Sequence, residues 1–136
     1  MKKWLAICLL ALLALPGIAE EETMRVTVGE KSYTAVLADN ETARAFAALL
    51  PMTLDMTELN GNEKYHYLMG PLPAEPQAVR AIETGDILLF GDDCVVVFYD
   101  SFTTPYSYTR IGKITDPQGL REALGEGTAA VAFALP

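Results

Sequence analysis

Two strongly apolar segments near the middle of the chain constrain the fold more than any other feature of the sequence. Residues 86–90 and 94–99 are apolar at nearly every position, and only Gly91, Asp92 and Asp93 separate them. A strand with one face in water alternates apolar and polar residues, whereas an uninterrupted apolar strand is buried on both faces. We therefore expect two adjacent central strands with protein on both sides.

Shorter alternating segments, separated by turn residues, predict the remaining strands. They cover residues 24–28, 32–37, 52–59, 64–69, 106–115 and 128–133. Two helices are expected, one over residues 39–50 that Pro51 ends and one over residues 120–124 that Gly125 ends. Some eight strands and two short helices predict a mainly β protein, a closed barrel capped by the helices. An α+β sandwich with both helices on one face is the alternative.

The first nineteen residues have the pattern of a secretory signal peptide. Lys2 and Lys3 precede an apolar run over residues 4–15, and Gly17 and Ala19 form a small-residue cleavage site. A spanning helix needs about 20 apolar residues, so this run does not predict a retained membrane anchor. We expect a single domain over residues 20–136, exported to the periplasm or cell envelope or secreted.

Removal of the signal peptide makes the chain more acidic. The full chain has 10 basic and 18 acidic residues; without Lys2 and Lys3 the balance is 8 against 18, or −10. Such a charge repels nucleic acid and anionic membrane surfaces, so neither is an expected partner. Cys8 would leave with the signal peptide, and Cys94, within an apolar strand, is interpreted as a small buried side chain.

Tyrosines and one arginine form the candidate ligand-binding site. Alternation along a strand puts Tyr106, Tyr108 and Arg110 on one face, and it puts Tyr65 and Tyr67 on one face of another strand. Phenols and a guanidinium can stack on a planar ligand and hydrogen-bond to it. The alternative is structural: Arg110 lies over the tyrosines and pairs with an acid on a neighbouring strand.

The sequence offers few side chains for catalysis or metal binding. His66 is the only histidine, and we expect it on a strand surface. The chain has no calcium-binding Asp-x-Asp-x-Asp-Gly loop, no phosphate loop and no Gly-x-Ser-x-Gly motif. We therefore expect no metal and no cofactor, and the pattern favours a binding module over an enzyme.

Four blocks in order resemble the bacterial cyclophilin-like domain family. They are DNETA at 39–43, LNGNEKY at 59–65, GDILLF at 85–90 and YSYTRIG at 106–112. The resemblance extends over about residues 24–133. It implies a cyclophilin-type barrel of about eight strands capped by two helices, in a family whose members mostly have no assigned activity.

The resemblance does not carry the prolyl isomerase site with it. True cyclophilins have an Arg followed by a Phe-Met-x-Gln-Gly-Gly block, with a Trp and a His completing the proline pocket. This chain has no Phe-Met pair, its glutamines are Gln77 and Gln118, and its one tryptophan is Trp4. The leading hypothesis is an exported, non-catalytic module that binds a small molecule or an extended peptide. The alternatives are a divergent peptidyl-prolyl isomerase and an interaction subunit whose partner covers the proline-rich loop at residues 71–76; the oligomeric state is left open.

Overall fold

The computed structural model describes residues 21–136, which form eleven strands and two helices. The elements in chain order are β1 (Thr23–Val28), β2 (Lys31–Leu37), α1 (Glu41–Ala47), β3 (Met52–Leu59), β4 (Glu63–Tyr67), β5 (Gln77–Ala78), β6 (Ala81–Ile82), β7 (Asp86–Phe90), β8 (Cys94–Phe98), β9 (Phe102–Thr103), β10 (Ser107–Ile114), α2 (Leu120–Leu124) and β11 (Ala129–Ala134). The predicted signal peptide lies outside the described residues.

Eight of these strands form a closed antiparallel barrel. Their order is β2, β1, β11, β3, β4, β8, β7 and β10, and β10 pairs with β2 to close the ring. In the closing pair Gly112 lies opposite Leu37, and Ile114 lies opposite Ala35. The predicted mainly β barrel with two short helices is therefore confirmed, and the sandwich alternative is wrong.

Apolar side chains fill the barrel, and both helices contribute to this inner core. Phe46 of α1 packs edge to face on Phe133 of β11, with ring centroids 5.3 Å apart. Leu120 and Leu124 of α2 are buried in the same core. The interior of the barrel is therefore occupied by side chains of the protein.

Helix α1 is shorter than its sequence pattern predicts. Asn40 caps it by accepting a hydrogen bond from the Ala43 backbone N–H at 2.7 Å, but the helix ends at Ala47 and not near Leu50. The Leu50 N–H donates to the Ala47 carbonyl, which is the tighter spacing of a 3₁₀ turn. The physical reason is Pro51, since a proline disfavours helical backbone in the residue before it.

A second apolar cluster lies on the outer face of the barrel wall. It contains Leu88 of β7, Tyr108 of β10 and the outward side chains of β8, and Ile82 of β6 belongs to it. The short β6–β9 ribbon supplies Ile82 and Phe102 to this face. The prediction that β7 and β8 are buried on both faces is confirmed, with the barrel core on one side and this outer cluster on the other.

Candidate functional site: an aromatic cleft on the barrel wall

An open cleft of about 440 Å³ lies on the outer face of the barrel, between β4 and the segment that connects β9 to β10. Strands β4 and β8 contribute Glu63, Tyr65 and Val96, and the connecting segment contributes Thr104 and Tyr106. The full lining consists of Leu59, Asn60, Asn62, Glu63, Tyr65, Tyr67, Phe90, Cys94, Val96, Phe102, Thr103, Thr104, Pro105, Tyr106 and Tyr108.

Aromatic rings occupy both sides of the cleft. Tyr65 and Tyr67 meet edge to face with centroids 5.8 Å apart. On the other side the Phe90 ring lies beside those of Tyr106 and Tyr108, with ring centroids 6.1 Å and 5.7 Å apart, respectively. Tyr67 and Tyr106 are each 60% exposed, whereas Tyr108 is only 5% exposed. The cleft thus has exposed rings at its rim and buried rings at its base, an arrangement suited to flat or apolar ligands.

The structure brings together four of the five candidate residues. Tyr65, Tyr67, Tyr106 and Tyr108 all line the cleft, although the first two belong to β4, Tyr106 to the segment before β10 and Tyr108 to β10. Strands β4 and β10 are not neighbours, because β8 and β7 lie between them in the barrel. Whether the four tyrosines bind a ligand stays a prediction.

Arg110 is separated from three of these tyrosines in the structure. It is exposed and does not line the cleft; it borders a different depression together with Asn40, Gln77 and Tyr108. Whether Arg110 binds a ligand stays a prediction. Outward positions on one strand repeat every two residues, about 7 Å apart, so three of them extend over roughly 13 Å. The cleft ends at Tyr108, and Arg110 lies beyond its edge.

Glu63 is the only charged residue in the lining. It is 8% exposed, and within residues 21–136 its carboxylate makes no hydrogen bond or ion pair. Burial raises the pKa of Glu63, and the nearby charge of Glu58 raises it further. Beside it, the side-chain oxygen of Asn62 is buried and has no hydrogen-bond donor within the described part of the chain. Because the Asn62 oxygen is closed off from solvent, the Glu63 carboxylate is the unpaired acceptor that the cleft presents.

The charge of Glu63 acts on other groups of the cleft. Burial raises the pKa of Tyr108, and the Glu63 carboxylate raises it further. The pKa of Cys94 is raised to about 11, first by burial and then by the charges of Asp93 and Glu63. A thiol with such a pKa is a poor nucleophile at neutral pH, which agrees with the interpretation of Cys94 as a buried apolar side chain.

The opposite face of β4 carries a separate polar cluster. Lys64 is fully buried, and its ammonium donates to the carbonyls of Gly125, at 2.8 Å, and Gly127. It also pairs at 3.2 Å with Glu58, which accepts from the Tyr99 hydroxyl at 2.6 Å. These groups satisfy one another, so we assign them to the fold.

Other ionisable side chains do not converge on the cleft. His66 Nδ1 lies 2.8 Å from the Asp55 carbonyl on the neighbouring strand, and His66 does not line the cleft. Within residues 21–136, no three side chains of His, Cys, Asp or Glu are placed to hold a metal ion together. Neither helix of this region is both long enough and apolar enough to span a membrane.

Sequence reasoning missed several residues of the site. Glu63 alternates with Tyr65 and Tyr67, so its face was predictable, but its lack of a partner was not. Phe90 ends an apolar strand, and Phe102 belongs to a strand of only two residues, so neither stood out. One feature of the sequence does point to the cleft: the outward side chains of β8 are apolar, so another segment of the chain has to cover them.

The barrel and its cleft define a class of small β protein whose interior is filled and whose aromatic cleft lies on the outside of the wall. The chain belongs to the cyclophilin-like family, whose model matches residues 26–134.

A solved structure agrees with this assignment at the level of the fold. The solution structure of the hypothetical protein AF2241 from Archaeoglobus fulgidus is similar, with a TM-score of 0.59 and 16% sequence identity. The match covers 90% of this chain and 100% of that protein. No curated protein matches the sequence.

Proposed function

We propose that this member of the cyclophilin-like family is an exported, non-catalytic binding module that holds a small molecule or an extended peptide in the aromatic cleft. Export rests on the signal-peptide pattern of residues 1–19. Binding rests on where the exposed apolar side chains lie.

The exposed apolar residues concentrate at the cleft. Within residues 21–136, seven large apolar side chains are exposed, and Leu59, Tyr67, Phe90 and Tyr106 line this one cleft. Single exposed apolar residues are common on protein surfaces, but a contiguous set around a concave site is typical of a binding surface. This clustering is the observation that carries the proposal.

The chemistry of the lining supports binding more than catalysis. The cleft presents aromatic faces, the hydroxyls of Thr103 and Thr104, and one carboxyl group, that of Glu63. General acid–base catalysis needs a base within hydrogen-bonding distance of the group that it deprotonates. The histidine imidazole of this chain lies outside the cleft, so Glu63 has no imidazole or second carboxylate in the lining to act with it.

Truncation of the two most exposed rings tests the proposal. Ligands identified by thermal-shift screening of compounds and peptides are titrated against the parent protein and a Tyr67→Ala, Tyr106→Ala double variant. Each aromatic contact contributes about 0.5–1.5 kcal/mol, so we expect an affinity loss of about tenfold. Both side chains are exposed, so the fold itself should lose little stability.

Two controls make this result specific. Leu49→Ala removes an exposed apolar side chain outside the cleft, and Arg110→Ala removes a charge outside it; both should bind like the parent. An unchanged affinity in the double variant would refute the proposed site. An exchange experiment on a proline-containing peptide tests the isomerase alternative. Acceleration of cis–trans exchange by the parent protein would support that alternative.

A further inference from the structure

The buried charged residues differ sharply in how they are partnered. Lys64 is held by Glu58 and two backbone carbonyls, and Asp86 accepts from Lys113 at 3.2 Å and from the Glu83 backbone N–H at 2.9 Å. Glu63 is the third buried charged residue of the described chain, and it has no such partner. The residue as a whole is largely buried, but its carboxylate oxygens are not closed off from solvent, so a group from solution can reach them and pair with the charge.

Glu63 lies where a bound ligand could pair with its carboxylate. Its side chain shares the outer face of β4 with Tyr65 and Tyr67 and lines the open cleft. The Asn62 oxygen is closed off from solvent, so Glu63 is the carboxylate that the cleft presents to a ligand. A carboxylate on a concave surface without a protein donor matches a ligand group that supplies N–H donors.

The surrounding rings favour a positively charged donor. Tyrosine faces attract an ammonium or guanidinium placed within about 6 Å of the ring centre. The lining contains no lysine, arginine or histidine that would repel such a group or compete for the carboxylate. A carboxylate or phosphate ligand would instead meet the negative charge of Glu63 at short range.

We propose that the cleft selects ligands with a cationic N–H group, an amine or a guanidinium, and that Glu63 pairs with this group while the tyrosines contact the rest. This inference rests on the proposed binding function and specifies its ligand chemistry. The cation can come from a free small molecule or from a lysine or arginine side chain of a peptide. Both sources present the same group to Glu63.

Three ionisable groups interact electrostatically with Glu63. Glu58 of β3 acts on Glu63, and Glu63 acts on Cys94 of β8 and Tyr108 of β10. Tyr65 and Tyr67 share its own strand, and Tyr106 lines the same cleft. Acid pH protonates Glu63, so affinity for a cation should decrease as the pH is lowered.

Aromatic probes of equal size and different charge test the selection. Benzamidine, benzyl alcohol and benzoate are titrated against the full protein by calorimetry at neutral pH. We expect benzamidine to bind at least about tenfold more tightly than benzyl alcohol, and benzoate to bind most weakly. Acetylated, amidated tripeptides with Arg or Gln at the centre form the second arm. Tighter binding of the Arg peptide than of benzamidine indicates a peptide source, and the reverse indicates a small molecule.

Glu63→Gln removes the charge and keeps the shape of the side chain, so the preference for benzamidine over benzyl alcohol should disappear. Glu30→Gln, an equal charge change in the β1–β2 turn, should keep that preference.

Thermal unfolding provides a second readout, since removal of this unpaired charge should raise the unfolding midpoint temperature of Glu63→Gln. Equal affinity for the charged and neutral probes, or a preference retained by Glu63→Gln, overturns the inference alone. Absence of binding by every probe overturns the proposed function as well.

Discussion

Two glutamates near the β3–β4 turn have opposite effects on the fold. Glu58 accepts from the Tyr99 hydroxyl at 2.6 Å and from the Gly61 N–H at 2.7 Å, and it pairs with Lys64. Burial would raise the pKa of Glu58, but these bonds outweigh it and lower the pKa. Burial and the Glu58 charge raise the pKa of Glu63. Ionisation of Glu58 therefore stabilises the folded state, and ionisation of Glu63 destabilises it.

Replacement of each glutamate by glutamine should change a different part of the pH profile of stability. The stabilisation from Glu58 is present above its ordinary pKa of 4.5 and is lost as the pH falls through the lowered value. Glu58→Gln should lower the free energy of unfolding by about 2 kcal/mol near pH 7. It should also flatten the dependence of that free energy on pH below about pH 4.5. Denaturant unfolding at a series of pH values measures both effects.

Glu63→Gln should act in the opposite direction. With a folded pKa above 4.5, Glu63 lowers stability as the pH rises from 4.5 through the raised value. The glutamine variant should lose this decline and be more stable than the parent at pH 7. Parallel profiles for the parent and both variants would contradict the assigned contacts.

Residue-scale partners were the least predictable part of the molecule. Alternation places Lys64 on the face opposite Tyr65, but its carbonyl partners, Gly125 and Gly127, are 61 and 63 residues away in sequence. Nothing in the local pattern indicates that this lysine is fully buried. Contacts of this kind arise from barrel closure, so sequence reasoning could assign faces but not partners.

At the scale of elements, Asn40 connects the start of α1 to the barrel wall. Its side-chain oxygen accepts from the Ala43 N–H at 2.7 Å, and its side-chain nitrogen donates to the Arg110 carbonyl at 2.9 Å. One amide group therefore caps the helix and holds it against β10.

Substitution of Asn40 separates these two contacts. Asn40→Ala removes both and should destabilise the protein by about 1.5 kcal/mol. Asn40→Ser keeps a capping oxygen but loses the contact with Arg110, so it should cost about 0.5 kcal/mol. Urea unfolding gives both values. Equal stability of the alanine and serine variants would show that the cap contributes nothing beyond the link to β10.

Long elements were predictable, and short ones were not. The strands of the barrel and both helices follow apolar periodicity and turn residues, and all of them occur close to the predicted positions. Strands β5, β6 and β9 have two residues each, too few for alternation to be visible. Because the β6–β9 ribbon forms part of the cleft, the tyrosine faces could be predicted while the opposite wall could not.

At the scale of the whole molecule, closure of the barrel depends on a close approach at Gly112. A Cβ atom at this position would lie 2.7 Å from the Val36 carbonyl oxygen, well inside van der Waals contact. Gly112 pairs with Leu37 in the β2–β10 seam. A side chain at this position would force the two strands of the seam to shift apart locally.

Gly112→Ala should therefore weaken the closed barrel, by about 1–3 kcal/mol as expected for overpacking. Gly70→Ala is the matched control, because a Cβ there meets no atom within 4 Å. Denaturant unfolding measures the loss. Hydrogen exchange should be faster at the amides of Ala38 and Thr115, which donate across this seam to the carbonyls of Ile111 and Thr34. Equal stability of the two alanine variants would contradict the role assigned to this seam.

The concentration of tyrosines at the cleft has a spectroscopic consequence. The sequence has six tyrosines and one tryptophan, Trp4, which lies in the predicted signal peptide. Four of the six tyrosines line the cleft. A protein of residues 20–136 has no tryptophan, so its intrinsic emission comes from tyrosine. Fluorescence should then report occupancy of the cleft directly, without an attached dye.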